Sequence, residues 1–597
     1  MYHQPNTADI QFILHNVLQA PAQLQALAPF AETDADLMAQ VMDEAGKFVA
    51  GHIAPLQRVG DEVGCRFDAG TVTTPPGFRQ AYAEFWQSGW AALSCAPEDG
   101  GQGLPEALNQ VLYEMLSAAN HGWTMAPGLL HGAYECIRHH ASAELKAAYL
   151  AKVASGEWLA TMCLTEAHAG SDLGLVRTRA VPDLAADGQG LGTVHRLSGT
   201  KIFISGGEHD LSDNIVHLVL ARLPDAPPGP KGLSLFLAPK WLPNGERNAV
   251  VCERIEEKMG LHGSATCVLR FDDATGWLVG EPGKGLGAMF VMMNAARLHV
   301  GLQGVGLLEA AWQKADAYAR ERRQMRAPGP RQGGAEADFI ITHPAMRRIL
   351  DTQRAWVDGG RVLAYRTAIE LDLARHHPDA ARRQVAQRWC SLVTPVLKAA
   401  WTDQAFHGGS DCLQVFGGHG YVSEWGIEQI LRDARIAMIY EGTNEIQAID
   451  LLVRKVLADQ GQALHGLVAE LLTDLATTTQ AKTSADGEGD GSPAGAGTSA
   501  AATAHMAADL LTRLGQAATA LCQRHTTAPE HAYWVAGDFL RATALALMAW
   551  GWARIEHTDG ADTPRWLQPA QALRAWVLPE FEQRLALLVA HHTAETA

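Results

Sequence analysis

Between about Trp158 and Phe271 the chain changes texture, and that change limits the folds open to it. The runs LATMCLT, TVHRLSGTKIFIS, IVHLVLARL, LSLFLAP and ATCVLRF are short and β-rich. Turn residues separate them, as at Gly170, Ser171 and Asp172 and in the Pro-rich stretch 224–230. On both sides the period is helical. Leu108, Val111, Leu112 and Leu116 recur at helical spacing, and 286–457 carry long helical patterns with arginine-rich polar faces such as YARERRQMR. Helices, then strands, then helices predict a segregated α+β chain rather than an alternating βαβ one. The blocks expected are a short extension at 1–35, a helical domain at 36–157, a β domain at 158–280, a helical bundle at 281–457 and an extra helical domain at 458–597. Within the last, the low-complexity stretch 477–504 is expected to be flexible.

A chain of 597 residues exceeds what one hydrophobic core serves, which agrees with several domains. The formal net charge of -17 argues against general affinity for nucleic acid or an anionic membrane, because both need a basic surface. Nine cysteines stand singly, without CxxC pairs or Cys/His spacing that suits zinc, so reduced thiols, no metal and a cytoplasmic location are expected. The first residues carry no basic segment followed by an apolar run, so a secretory leader is not expected. Nor is an integral membrane segment. GEPGKGLGA at 280–288 contains GxGxxA after a strand, but helical texture continues beyond it. A dinucleotide-binding unit needs a further strand there, so the glycines read as a strand-to-helix joint.

The segment with most chemistry is AMIYEGTNEIQAIDLL at 437–452. Glu441 sits between two apolar helical runs at a break made by Gly442 and Thr443, with Thr443 placed to cap the next helix. A carboxylate at such a joint can project into a cavity. This segment resembles the signature of the acyl-CoA dehydrogenase family. Four more segments resemble that family in the same order: CLTEAHAGSD at 163–172, LSGTKIFISGGEHD at 197–210, KMGLHGSATCVLRFDD at 258–273 and QVFGGHGYVSEWGIEQILRDARI at 414–436. The resemblance spans about 36–455. The two ends resemble the long bacterial branch that includes 3-methylmercaptopropionyl-CoA dehydrogenase.

The resemblance implies a fold of helical, β-barrel-like and helical-bundle domains, FAD as cofactor and an acyl-CoA substrate. It implies that Glu441 is the base and that its backbone N–H holds the thioester oxygen. Flavin contacts carried over are Cys163, Leu164, Thr165, Gly170, Ser171, Phe203 and Ser205. Phe203 and Ser205 stand where Trp and Thr are usual, and Ala167 replaces a usual proline. Arg322, Gln414, Gly417 and Gly418 match groups that reach the FAD pyrophosphate of a neighbouring subunit, which implies a homodimer. Thr443 and Glu445 match adenine-side contacts. Ser171, Arg297, Tyr440 and Glu441 match the substrate channel, and Met325 stands where phenylalanine is common. Electron-transfer flavoprotein is the implied acceptor. Two alternatives share the fold: an oxidase that passes electrons to oxygen, and a non-catalytic binding protein.

Overall fold

The computed structural model describes residues 2–329, 336–485 and 496–590. They form two compact units, one of residues 2–5 and 44–299, the other of 6–43 and 300 onward.

The first unit combines helices with a closed sheet. Strand β1 (Arg66–Asp68) pairs antiparallel with β2 (Thr71–Thr73) in a small hairpin that interrupts the helical domain expected at 36–157. Three-residue strands carry too little alternation to register in a sequence. The seven strands that follow are β3 (Leu159–Cys163), β4 (Arg179–Asp183), β5 (Val194–Ser205), β6 (Ile215–Arg222), β7 (Leu233–Pro239), β8 (Val250–Ile255) and β9 (Thr266–Val279). Strand β6 pairs with β7, β7 with β9, β9 with β5, β5 with β4, and β4 returns to β6, which closes a barrel-like ring. Strand β3 lies parallel on β6, and β8 lies antiparallel on β9. Strands β6 and β7 read as continuous apolar runs because both of their faces are covered. Cys163, Leu197, Ile204, Val219, Phe236, Leu269 and Phe271 pack in the barrel core. After β9 comes the 37-residue helix Gly285–Glu321, so the glycine-rich stretch is a strand-to-helix joint.

The second unit is built on the later part of that helix and on two long helices, Pro344–His376 and Ala380–Val415. Trp401 is fully buried among them and donates to the carbonyl of Trp356 at 2.8 Å. It fits because Gly304 and Gly360 have no side chain: a Cβ at Gly360 would come within 2.1 Å of the Trp401 indole nitrogen. The helices Ala496–His525, His531–His557 and Pro564–Ala572 join this unit, and so does the N-terminal extension. Phe12 stacks on Trp566 at 4.7 Å, Arg565 bonds Asp9 at 2.6 Å, and Arg554 donates to the carbonyl of Val17 at 2.8 Å. The two added ends therefore pack on each other.

Of the stretch 477–504 expected to be flexible, both flanks are helical. One helix runs to Ala485 and the next begins at Ala496. Alanine is the best helix former, and Ala500, Thr503 and Ala504 are buried, so the low-complexity composition hid helical flanks. Residues 486–495 lie outside the described residues. Among the described residues no helix is long and apolar enough to cross a membrane.

Candidate active site

After the helix Ile427–Ala434 the backbone turns at residue 441. Glu441 has φ +56° and Gly442 φ +87°. That region is easy for glycine and costly for glutamate, so Glu441 is held there by its surroundings. Gln447, fully buried in the helix Asn444–Ile449, donates from Nε2 to the Glu441 carbonyl at 3.1 Å. Lys398, fully buried on the helix Ala380–Val415, donates from Nζ to the Gly442 carbonyl at 2.7 Å and to Asn444 Oδ1 at 2.9 Å. Asn444 donates to the Ala399 carbonyl at 3.1 Å, closing a network around the joint. Thr443 caps the helix: its hydroxyl accepts from the Ile446 N–H at 3.4 Å.

On the other side of Glu441, the Tyr440 phenol donates to Gln303 Oε1 at 2.5 Å. Burial, and then the negative charge of Glu441, push that phenol well above its usual range, so it stays protonated and remains a donor. Glu441 itself is half-buried. Glu445 is exposed, and its bond with the Thr443 hydroxyl and with its own amide holds its carboxyl below the usual range.

Arg322, Gln414, Gly417 and Gly418 come to one end of the same unit through an aromatic cluster that sequence reasoning missed. Tyr318 stacks on Phe416 at 4.3 Å and shares a hydrogen bond with His419 Nδ1 at 2.9 Å, and His419 stacks on Trp425 at 4.8 Å. The cluster pins the end of the helix Gly285–Glu321, where Arg322 follows Tyr318 by one turn, to the turn Gly417–Tyr421. Arg322, Gln414, Gly417 and Gly418 are all exposed. A Cβ at Gly417 or Gly418 would meet nothing within 4 Å, so a ligand's phosphate has room to approach both backbones. Met325, three residues beyond Arg322, is also exposed and has φ +57°.

The other expected contacts lie in the first unit. The Cys163 thiol faces the barrel core and burial pushes it up to about 12, so this residue can offer a ligand only its backbone. Leu164 and Thr165 follow β3, and buried Lys201 donates from Nζ to the Leu164 carbonyl at 3.0 Å and to Glu166 Oε1 at 2.9 Å. Burial works to raise the Glu166 carboxyl, but the Lys201 charge and bonds from Thr178 and Arg177 outweigh it and pull it down to about 2. The Thr165 carbonyl accepts from Ile202 N–H at 2.9 Å. Between Lys201 and Ile204 the β5–β9 register shifts, and the bulge carries Phe203 at φ +58° with 61% exposure. Ser205 pairs with Thr266 two residues on. Gly170 and Ser171 are exposed. Arg297 lies on the helix Gly285–Glu321 and reaches Asn294 Oδ1 at 3.4 Å.

The expected residues thus form two groups, one in each unit. Lys398, Gln447, Gln303, Lys201 and Glu166 were missed. Lys398 had one legible signal, a lone lysine inside the apolar run LVTPVLKAAW at 392–401. Among the described residues no group of three or more His, Cys, Asp or Glu is placed to hold a metal ion.

Three family models match this chain: acyl-CoA dehydrogenase N-terminal domain over residues 37–157, middle domain over 161–274 and C-terminal domain over 283–457. The chain is 45% identical to 3-methylmercaptopropionyl-CoA dehydrogenase of Ruegeria pomeroyi over 468 residues, 77% of this chain and 78% of that one. It is 35% identical to a broad-specificity linear acyl-CoA dehydrogenase of Mycobacterium tuberculosis over 504 residues, 81% of this chain and 80% of that one. Its fold is similar to that of an acyl-CoA dehydrogenase from Bacillus anthracis complexed with FAD, with TM-score 0.68, 20% identity, and coverage of 93% of this chain and 88% of that one.

Proposed function

This chain belongs to the acyl-CoA dehydrogenase family and is an acyl-CoA dehydrogenase, and on that premise we propose that Glu441 is its catalytic base. The reaction is α,β-dehydrogenation of an acyl-CoA thioester to the trans-2-enoyl-CoA. The α-carbon of a thioester is weakly acidic and the β-carbon is unactivated, so a base and a hydride acceptor must act together. FAD, when bound, supplies the acceptor of the β-hydride at flavin N5.

The observation that carries this reading is the half-buried Glu441 at a left-handed joint clamped through the two carbonyls that follow it. The Glu441 carboxylate takes the α-proton, and its backbone N–H holds the thioester oxygen as charge develops there. Tyr440 stays a phenol beside it, and we assign Tyr440, Ser171 and Arg297 to the acyl-CoA substrate. The open backbones of Gly417 and Gly418, with Arg322 and Gln414, suit a pyrophosphate, and exposed Phe203, beside Ser205 and the Cys163–Thr165 backbone, suits the flavin ring. Thr443 and Glu445 would meet the adenine of bound FAD. FAD therefore fits the residues present, and the similar fold from Bacillus anthracis was solved with FAD. We assign Arg322 and Gln414 to the cofactor of a second copy, hence a homodimer, with electron-transfer flavoprotein as acceptor and a cytoplasmic location.

The test is Glu441→Gln, followed by anaerobic stopped-flow bleaching of the flavin. Gln keeps the size but cannot accept the proton, so reduction should slow by ~10²–10⁴ or more with FAD content unchanged. Reduction within tenfold of wild type would remove Glu441 as base. Glu445→Gln, measured alongside, should still bleach.

A further inference from the structure

We propose that Lys398 and Gln447 are positioning residues for the base: they grip the carbonyls of Gly442 and Glu441 and so hold the Glu441 carboxylate in its reactive direction. This rests on the reading of Glu441 as the base.

The joint cannot hold itself. Gly442 is the most permissive residue the backbone offers, and Glu441 sits at φ +56°, from which a glutamate relaxes readily to the extended region. Stiffness must come from outside the turn. It comes from two elements. Gln447 Nε2 reaches the Glu441 carbonyl at 3.1 Å from the following helix, and Lys398 Nζ reaches the Gly442 carbonyl at 2.7 Å from the long helix Ala380–Val415. Each peptide unit is planar, so fixing a carbonyl fixes the whole plane. Two successive planes are fixed this way. The residue before Glu441 is fixed as well, by the Tyr440 N–H on the Ile436 carbonyl at 3.1 Å and its phenol on Gln303. With the plane that follows Glu441 held and Tyr440 tethered before it, the direction of the Glu441 Cα–Cβ bond is confined.

The side chains chosen support a role beyond packing. Lys398 has no exposure, and burying an ammonium is costly unless its bonds are needed. Its bonds to the Gly442 carbonyl and Asn444 Oδ1 bracket Thr443, next to the joint. Gln447 also has no exposure, and its Oε1 has no hydrogen-bond partner among the described residues. An apolar side chain of that size would avoid the orphaned oxygen, so what the amide gains is the bond from Nε2 to the Glu441 carbonyl, with a longer one to the Gly442 carbonyl at 3.4 Å.

The experiment measures anaerobic flavin reduction against acyl-CoA concentration in the FAD-loaded full chain for Lys398→Met, Gln447→Met and Glu441→Gln. The positioning role predicts that both Met variants keep their FAD and bind acyl-CoA within threefold of wild type. Their limiting reduction rate should fall at least thirtyfold, and an α-deuterated substrate should slow them further. Gln447→Met removes an unpartnered buried atom and leaves every bond of Lys398, so it decides the matter if Lys398→Met does not fold. A Gln447→Met enzyme that reduces its flavin within threefold of wild type, while Glu441→Gln does not, overturns the clamp and leaves the base in place. So does a loss confined to FAD content or acyl-CoA affinity. If Glu441→Gln bleaches like wild type, the base falls and the clamp with it.

Discussion

Asp358→Asn should destabilise the second unit by about 3–5 kcal/mol, the range for removing one side of a buried ion pair. Asp358 has no exposure. Its carboxylate accepts from Arg354 Nε at 3.1 Å and Nη2 at 2.5 Å, and from Arg565 Nη1 at 2.8 Å and Nη2 at 2.9 Å. Glu309 meets Arg354 at 2.6 Å and Arg361 at 3.2 Å, and Asp9 meets Arg565 at 2.6 Å. The carboxylates of Asp9, Glu309 and Asp358 thus balance the guanidiniums of Arg354, Arg361 and Arg565. Asn keeps the shape and removes one negative charge, which leaves an excess positive charge where Arg354 and Arg361 are 2% and 1% exposed. Burial works to raise the Asp358 carboxyl, but the charges of Arg354 and Arg565 outweigh it and hold it well below the usual carboxylate range. A group with a lowered folded pKa stabilises above its unfolded pKa, ~3.9 for Asp, and loses that contribution as pH falls below it. The gap between wild type and variant should therefore be flat from about pH 8 to 5 and shrink in stronger acid. Urea melts followed by tryptophan fluorescence read this directly, because Arg354 lies over Trp312 at 4.8 Å and Arg565 over Trp566 at 4.0 Å. With a slope of a few kcal/mol per molar for a unit this large, the midpoint should fall by about 1 M. A fall under about 0.2 M, or a gap that changes between about pH 8 and 5, would refute the charge-balance argument.

Glu166→Gln strands buried Lys201 and should cost the barrel unit about 3–5 kcal/mol. Because the folded Glu166 carboxyl lies near 2 against an ordinary 4.5, the wild-type advantage is complete above 4.5 and disappears as pH falls towards 2. Melts at a series of pH values check the sign, and an advantage that grew in acid would contradict it. Phe203→Gly relieves positive-φ strain at an exposed site, so stability without cofactor should hold or rise by up to ~1 kcal/mol while FAD affinity falls about tenfold. Unchanged FAD binding in a fluorescence titration would detach Phe203 from the flavin. A Cβ at Gly418 meets no protein atom within 4 Å, so Gly418→Ala should move melting by less than ~0.5 kcal/mol while FAD binding weakens at least tenfold. A variant that binds FAD as tightly as wild type would show that no phosphate approaches that backbone.

Much of the frame was legible before any coordinates. The strands of the barrel announce themselves because doubly covered strands must be apolar along their length, as in LSLFLAP over β7. The break at Gly442 and the cap at Thr443 are local preferences, expressed within one turn of chain, and they stand where the sequence puts them. Weak local signals failed. The hairpin of β1 and β2 is too short to show a period, and the small residues flanking 486–495 read as linker although alanine favours helix and Ala500 and Ala504 are buried. The identities of Glu441, Gly442 and Thr443, and the residue order around them, belong to the sequence alone. That Lys398, forty-four positions before Gly442, grips its carbonyl was settled only by tertiary structure. So was the meeting of Asp9, near the start, with Arg565 and Asp358. Periodicity tells which face of a helix is buried. It does not tell which helix that face meets or at what height, and a hydrogen bond tolerates only a few tenths of an ångström of error in either.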